Sequence, residues 1–324
     1  RNGDNSSTMT KSWLPHLLGL AAPLASLVGL WLGGWWMGLT LLMLLAVYPL
    51  LDTVMGIGDE TDPLQEGRPY NVILHLHGIL VPLTVGALLW RISFDGLTSF
   101  TALGILSVGL SSGASGIVSA HELGHRKPRS GSWWLARLSL FSVLYLHFTT
   151  EHNHTHHKHW AKKIDPTSSP LGRSVYRHFI TTVPLQVRGA YRARPVDTRR
   201  SLMLEFMFLV ALYAVNPEWL LAFVGQAFIA VFLLEFVNFL QHHGLSRKDG
   251  ERAGAQHAWE SRHRLSRWTL LELPLHPSHH MKSSTPYHQL RTHDEAPQLP
   301  YGYYVMFLLA LVPPVFNRVL KNRF

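Results

Sequence analysis

The stretch LTSFTALGILSVGLSSGASGIVSAHELGH, residues Leu97 to His125, joins two kinds of sequence without a break. Up to Ala120 it holds no Asp, Glu, Lys or Arg. As a helix it is long enough to cross a hydrocarbon core of about 30 Å. From His121 it becomes H-E-L-G-H, with two imidazoles at i and i+4 on one helical face. An apolar span ending in paired histidines sets the fold class: an all-α integral membrane protein with a His-rich catalytic cap beyond the ends of its spans.

Three further uncharged runs, Trp13–Leu32, Trp35–Leu51 and Asn71–Trp90, precede it. Later, Phe206–Val215 and Trp219–Leu234 flank Asn216-Pro217-Glu218 and read as a helical hairpin, its first arm extended back past Glu205. Six transmembrane helices are expected, over about 13–32, 35–55, 71–91, 97–120, 201–215 and 219–241. Segments 121–200 and 242–324 then form the catalytic part of one membrane-embedded domain. Four uncharged runs of this length rarely coexist in a soluble domain. The first is not a cleaved leader, because a second follows after only Gly33 and Gly34. Leu138–Thr150 is too short to span and reads as a buried or interfacial helix, and Tyr301–Phe316, with Pro313 and Pro314, as a segment lying against the membrane. Arg1 to Thr8 reads as a polar, disordered lead.

Composition narrows the chemistry. The 324 residues include no cysteine, which excludes disulfides, a thiolate catalyst, an iron–sulfur cluster and a Cys-type zinc site. Only 15% are charged, against roughly 25% in soluble domains. The formal charge is +9, yet of 29 Lys and Arg residues only Arg91 falls in the short connections 33–34, 91–96 and 216–218. The positive-inside rule puts the opposite segments in the cytoplasm. The acidic loop Asp52–Glu66 does not conflict, since Asp and Glu weigh little in orientation. The basic runs Arg126, Lys127, Arg129, Arg137 and Lys158–Arg200 read as a lipid-headgroup or partner-docking surface. No nucleic-acid motif accompanies them, so no nucleic-acid partner is expected.

The 21 histidines outnumber the acidic residues, and eleven of them gather in four groups: His121 and His125; Glu151-His152-Asn-His154-Thr-His156-His157; Gln241-His242-His243-Gly244; and His276-Pro-Ser-His279-His280. All four emerge on one side of the expected topology. His121 with His125 and His152 with His156 are i,i+4 pairs, and His276 with His279 and His280 gives both helical spacings. Neutral imidazole suits iron, zinc and copper. H-E-x-x-H is also the zinc-metalloprotease signature, with Glu122 as general base. Zinc is satisfied by three protein ligands and a water, which would leave six or so histidines without a role. Eight or more imply two metal ions, and two redox-active irons reducing dioxygen are the economical use. Glu122, Glu151 and Glu235 are candidate acceptors for ligand N–H groups. His154 and His159 fall off the i,i+4 register and read as supporting or surface groups. His75 and His77 lie inside the third span, near the site or in a helix–helix contact. His16, His147, His178, His257, His263, His288 and His293 read as structural.

These motifs, in this order, resemble the membrane-bound non-haem diiron alkane hydroxylases (alkane 1-monooxygenases), with xylene monooxygenase as a close relative. The resemblance rests on His121-Glu-Leu-Gly-His125, on Glu151-His152-x-x-x-His156-His157 followed by Asp165-Pro-x-Ser-Ser, and on Asn238-Phe-Leu-Gln-His242-His-Gly-Leu. It extends to His276-x-x-His279-His280 with Tyr287-x-x-Leu290-Arg291 and Ala296-Pro-Gln-Leu-Pro300 behind it. It implies His121, His125, His152, His156, His157, His242, His276, His279 and His280 as catalytic ligands of two iron ions. It implies oxygen from O2 inserted into the terminal C–H bond of an alkane. It further implies electrons from rubredoxin, reduced by a flavoprotein reductase, at the cytoplasmic face of a bacterial inner membrane. Arg126–Arg137 and Lys158–Lys163 are the expected docking surface for that acidic partner. Gln241 is closer to the xylene branch, and His243, where a Tyr is usual, leaves open which of His242 and His243 binds. Ser278 replaces a usual Asp, which removes a supporting carboxylate there. Membrane desaturases and fatty acid hydroxylases share three His boxes, but the fourth motif at Asn238–Leu245 and the Pro-Gln-Leu-Pro tail fit the alkane hydroxylases better.

Overall fold

The computed structural model describes residues 12–58, 67–321 and 323. The lead Arg1–Thr8 and residues 59–66 of the acidic loop lie outside them. Five helices are long and apolar enough to cross a membrane: α1 (Leu14–Leu32), α2 (Gly34–Val54), α3 (Arg68–Asp95), α4 (Ser99–Gly124) and, later, α9 (Pro217–His242). Between α4 and α9 come α5 (Gly131–Phe141), the short helix α6 at 148–159, α7 (Val175–Ala193) and α8 (Pro195–Val215). The expected fifth span, 201–215, falls on α8, whose first half carries Asp197, Arg199, Arg200 and Glu205, so α8 is not among the apolar five. Four short helices close the chain: α10 (Arg264–Thr269), α11 (His276–Met281), α12 (Tyr303–Ala310) and α13 (Pro313–Leu320). Pairing between extended segments is confined, among the described residues, to two isolated bridges.

The three short connections meet at one end of the bundle. Trp219 Nε1 donates to Ser93 Oγ (3.1 Å), Trp35 packs edge-on against Phe100, and the Arg91 guanidinium lies against Gly33. Local chemistry fixes these turns. Thr98 and Thr101 cap each other at the start of α4, and Asn216 Oδ1 accepts the Glu218 N–H with Pro217 in the first helical position. At the opposite end α4 and α9 run past their apolar stretches, so His121 and His242 sit on the last turns of these helices.

α4 and α9 must approach closely for those ends to share a site. A Cβ at Gly109 would stand 2.6 Å from Ile229 Cβ and 2.8 Å from the Gln226 carbonyl, and one at Gly113 would stand 2.8 Å from Leu233. Small residues permit such backbone approach in membranes, where no hydrophobic force drives helices together. Leu138–Thr150 forms the end of α5, a turn and the start of α6, largely buried. Residues 301–316 contribute α12 and α13; α12 packs on α2 and α9 through Tyr304 on Tyr48 and Phe307 on Phe236. Gly109→Leu is expected to lower stability by about 1–3 kcal/mol through overpacking. Gly86→Leu, where nothing lies within 4 Å of the added Cβ, should leave thermal melting in detergent nearly unchanged.

Candidate metal centre

All nine histidines expected as ligands converge, in two adjoining groups. The ring nitrogens of His121, His125, His152, His157 and His279 lie within 4.8 Å of one another, and so do those of His156, His242, His276 and His280. Four segments supply them: the end of α4, α6, the end of α9, and α11, where Pro277 occupies the first turn. The groups touch, with the His157 and His280 rings 4.6 Å apart between centroids.

The helical spacing did not foretell how the second cluster divides. Residues His152–His156 form a π-helical turn, so one extra residue enters the coil and re-aims the side chains. His152 meets His157, five positions on, at 2.9 Å between Nε2 atoms, while its expected partner His156 turns to His280 at 3.1 Å in the other group. α11 divides likewise: His276 and His280 join one group and His279 the other.

The donor set fits a cation. His279 Nε2 lies 3.1 Å from His157 Nε2, and His242 Nε2 lies 3.1 Å from His276 Nε2. Two imidazole nitrogens on one ion at right angles stand about 3 Å apart. His121 Nε2 and His125 Nε2 are buried with no protein partner. Burial, and then the neighbouring imidazoles, push His125 down to about 4 and His152, His157, His276, His279 and His280 well below the ordinary histidine range. These rings are therefore neutral, with free lone pairs, at physiological pH.

The supporting carboxylates differ from the expected ones. Glu122 Oε1 accepts the Tyr287 N–H (3.2 Å) and lies 3.6 Å from Arg126. Glu235 accepts from Tyr145, Gln186 and Asn238 in a separate buried network. Glu151 is buried with neither oxygen hydrogen-bonded, and burial, then Asp165 and Glu235, raises it well above the usual carboxylate range. None of the three accepts from a ring of either group. That role falls to Asp165, whose Oδ2 lies 3.0 Å from His156 Nδ1 and accepts the hydroxyls of Thr167 and Ser168. Burial alone would raise Asp165, but His156 and the hydrogen bonds outweigh it and hold the carboxyl at about 2. The signal was the Asp165-Pro-x-Ser-Ser run, with its hydroxyl donors.

Other residues take clear places. His243 lies outside both groups, near Ser169 Oγ at 3.3 Å, which leaves His242 as the inward ring. At position 278 the serine hydroxyl accepts the Arg291 N–H. His154 is exposed and His159 half-buried. His77 pairs with Ser115 and His75 with Ser132 as helix–helix contacts. Sequence reasoning missed Trp160, stacked on His280, and Phe148, stacked on His152. The Ala296–Pro300 tail clamps Glu260 from both sides, beside Trp259, whose N–H bonds to the Gln241 carbonyl.

A narrow apolar pocket opens beside both groups, bordered by His121, His152 and His276. It shares Gly113, Val118 and Val237 with a second narrow pocket that reaches Leu44, Leu45 and Leu233 on the spans. The histidines thus stand at the inner end of an apolar path. Replacing Asp165 by Asn should cost about 10–100-fold in metal affinity, read by titrating the stripped protein with metal, since the carboxylate orients His156 and raises its basicity.

A model of the fatty acid desaturase family matches residues 97–310. Alkane 1-monooxygenase 1 of Pseudomonas aeruginosa is 32% identical, the alignment covering 96% of this chain and 89% of that protein. Alkane 1-monooxygenase 1 of Alcanivorax borkumensis is 31% identical over 99% of this chain and 87% of its own length. The xylene/toluene monooxygenase hydroxylase component of Pseudomonas putida is 26% identical over 89% and 82%. With its histidines gathered and nearly its whole length aligned, this chain is an oxidoreductase of the alkane 1-monooxygenase family, carried on a fatty-acid-desaturase-type domain.

Proposed function

We propose that the chain is a diiron monooxygenase of the bacterial inner membrane. It inserts one oxygen atom of O2 into the terminal C–H bond of a linear alkane, giving the primary alcohol, with electrons from rubredoxin and its flavoprotein reductase. The observation that carries this reading is two adjoining sets of imidazoles at the inner end of an apolar path. His121, His125, His152, His157 and His279 would hold one iron, and His156, His242, His276 and His280 the other. Bound there, the irons supply the reductive activation of O2 that an unactivated C–H bond requires.

The protein supplies the rest. An alkane has no charge to steer by, so Gly113, Val118 and Val237 orient it by shape and bring its end toward His121, His152 and His276. The same apolar walls keep water from the reacting carbon. With no cysteine and no nucleotide motif, electrons enter from outside. Lys127, Arg129, Lys158 and Lys163 are exposed near the histidines and form the docking face for an acidic carrier. Arg137, expected there, instead turns inward to Ser201 Oγ and the Leu146 carbonyl. In this reading α8 is the fifth of six crossings, its charged first half at the cytoplasmic boundary, and the whole chain works as one membrane-embedded domain.

A zinc protease would need Glu122 free beside a metal-bound water. Glu122 is instead engaged by the Tyr287 backbone, and three further histidines join His121 and His125. Gln241, which donates to the Tyr303 hydroxyl, keeps a methylarene substrate as a second reading.

The deciding measurement is metal content of the purified protein with product analysis on a medium-length alkane against xylene, rubredoxin supplied. Two irons per chain and a primary alkanol are expected; a lone zinc, or no hydroxylated alkane, overturns the reading. Lys127→Glu, Lys158→Glu and Lys163→Glu together should lower kcat/KM for rubredoxin about tenfold or more at low salt, with the loss shrinking as salt rises.

A further inference from the structure

Helix α7 carries a surface that the proposed chemistry leaves unused. From Pro166 to Val196 the chain has five arginines and no acidic residue. At about 100° per residue, Tyr176, Ile180, Pro184 and Tyr191 fall in one sector of about 80°, and Arg177, Arg188 and Arg192 in the adjoining one of about 60°. All seven are exposed, Ile180 at 70%. Among the described residues, no acidic side chain pairs with those three arginines.

Packing fixes how the helix is rolled. On the side of the apolar sector, Phe179 packs on Phe228 and Phe232 of α9 at 5.3 and 5.4 Å. Tyr176 stacks on Phe232. Those α9 residues lie about three to four turns up the span from His242. On the side of the basic sector, Thr182 Oγ1 donates to the Pro166 carbonyl, and a Cβ at Gly189 would stand 3.5 Å from Glu151, beside the histidines. One edge therefore faces the hydrocarbon and the other faces the level of the metal centre. α7 runs through Arg194 into α8, whose exposed Met203, Phe206 and Met207 continue the apolar surface.

We propose that α7 lies in the headgroup layer as an interfacial helix and selects anionic glycerophospholipids. Arg177, Arg188 and Arg192 hold the phosphates, and Ile180, Pro184 and Tyr191 insert among the acyl chains. A soluble acidic protein would satisfy the arginines but leave the apolar sector in water, whereas an anionic leaflet satisfies both. This rests on the membrane-spanning reading and is independent of the diiron reading.

Native mass spectrometry of the full chain released from detergent, titrated with phosphatidylglycerol or phosphatidylcholine, tests it. The wild type should prefer phosphatidylglycerol, and the triple variant R177Q/R188Q/R192Q should lose that preference by about tenfold or more, with metal content unchanged. Ile180→Ser should weaken binding of both lipids. Equal binding of the two lipids by the wild type overturns the proposal. So does a triple variant that keeps its lipid preference, including one that loses only rubredoxin-supported turnover, which would mark a protein-docking face. If the triple variant loses its metal and so fails to fold, R188Q alone carries the test, with a smaller loss of preference expected and an unchanged preference overturning the proposal.

Discussion

Nine imidazoles, seven of them buried and His125 and His157 half-buried, held within contact of one another constrain everything else in this molecule. They crowd ring nitrogens into a space with little room for water, and an unpaired buried polar atom costs about 1–3 kcal/mol. His121 and His125 carry such atoms, and His242, His276 and His280 each keep an unpaired Nδ1 as well. The bare arrangement is costly, and a shared cation turns facing lone pairs into ligands. The demand reaches back into the bundle. α4 and α9 deliver His121 and His242 to one place only because Gly109 and Gly113 let their backbones close on each other.

The cap around the histidines is tied to the spans by polar contacts that would be expensive to leave unmade. Asp52, at the end of α2, accepts both the N–H and the hydroxyl of Ser266 in α10. Tyr287, behind α11, donates its N–H to Glu122 and its hydroxyl to the Tyr70 carbonyl. His16 of α1 meets Glu272 at 3.1 Å, fully buried. Four of the five apolar helices, α1 to α4, are thus pinned to the segments that carry the last histidines. α11 spans less than two turns and has little helical stability of its own, so its orientation depends on these ties.

Much of this was legible in the sequence because two signals are local. Uncharged runs of near-membrane length mark the spans, and clustered histidines mark the ligand segments. What the sequence hid depends on contacts between segments. Helical spacing pairs His152 with His156, yet the π turn pairs His152 with His157; whether a coil takes an extra residue is decided by tertiary packing, not by the six residues themselves. Asp165 reaches His156 through a turn at 160–165 in which Ala161 holds a left-handed φ of 59°, a conformation its residue type does not advertise. Glu235 and Glu151 looked like partners for ligands by proximity in sequence, but the helix turns Glu235 toward Tyr145 and Gln186. α8 was hard to delimit because its first half carries charges and its second half is apolar; only contacts between segments show that Glu205 turns inward to accept the Leu146 N–H and that Ser201 accepts from Arg137.

The two histidine groups are not electrostatically equivalent. Among the described residues, Asp165 is the one carboxylate hydrogen-bonded to a ring of either group, and it serves the group of four. An ionised carboxylate on the far nitrogen makes His156 a stronger donor and places a negative charge within reach of that group. The group of five compensates in number, with one more imidazole and no anion. The serine at 278 sharpens this difference, because its hydroxyl binds the Arg291 backbone and gives α11 no carboxylate. In the proposed two-ion reading, two cations held side by side would repel each other strongly in a dry interior, and a single anion set to one side would bias how positive charge divides between them. The chain therefore distinguishes the two positions through what stands behind the imidazoles, while the imidazoles themselves are alike.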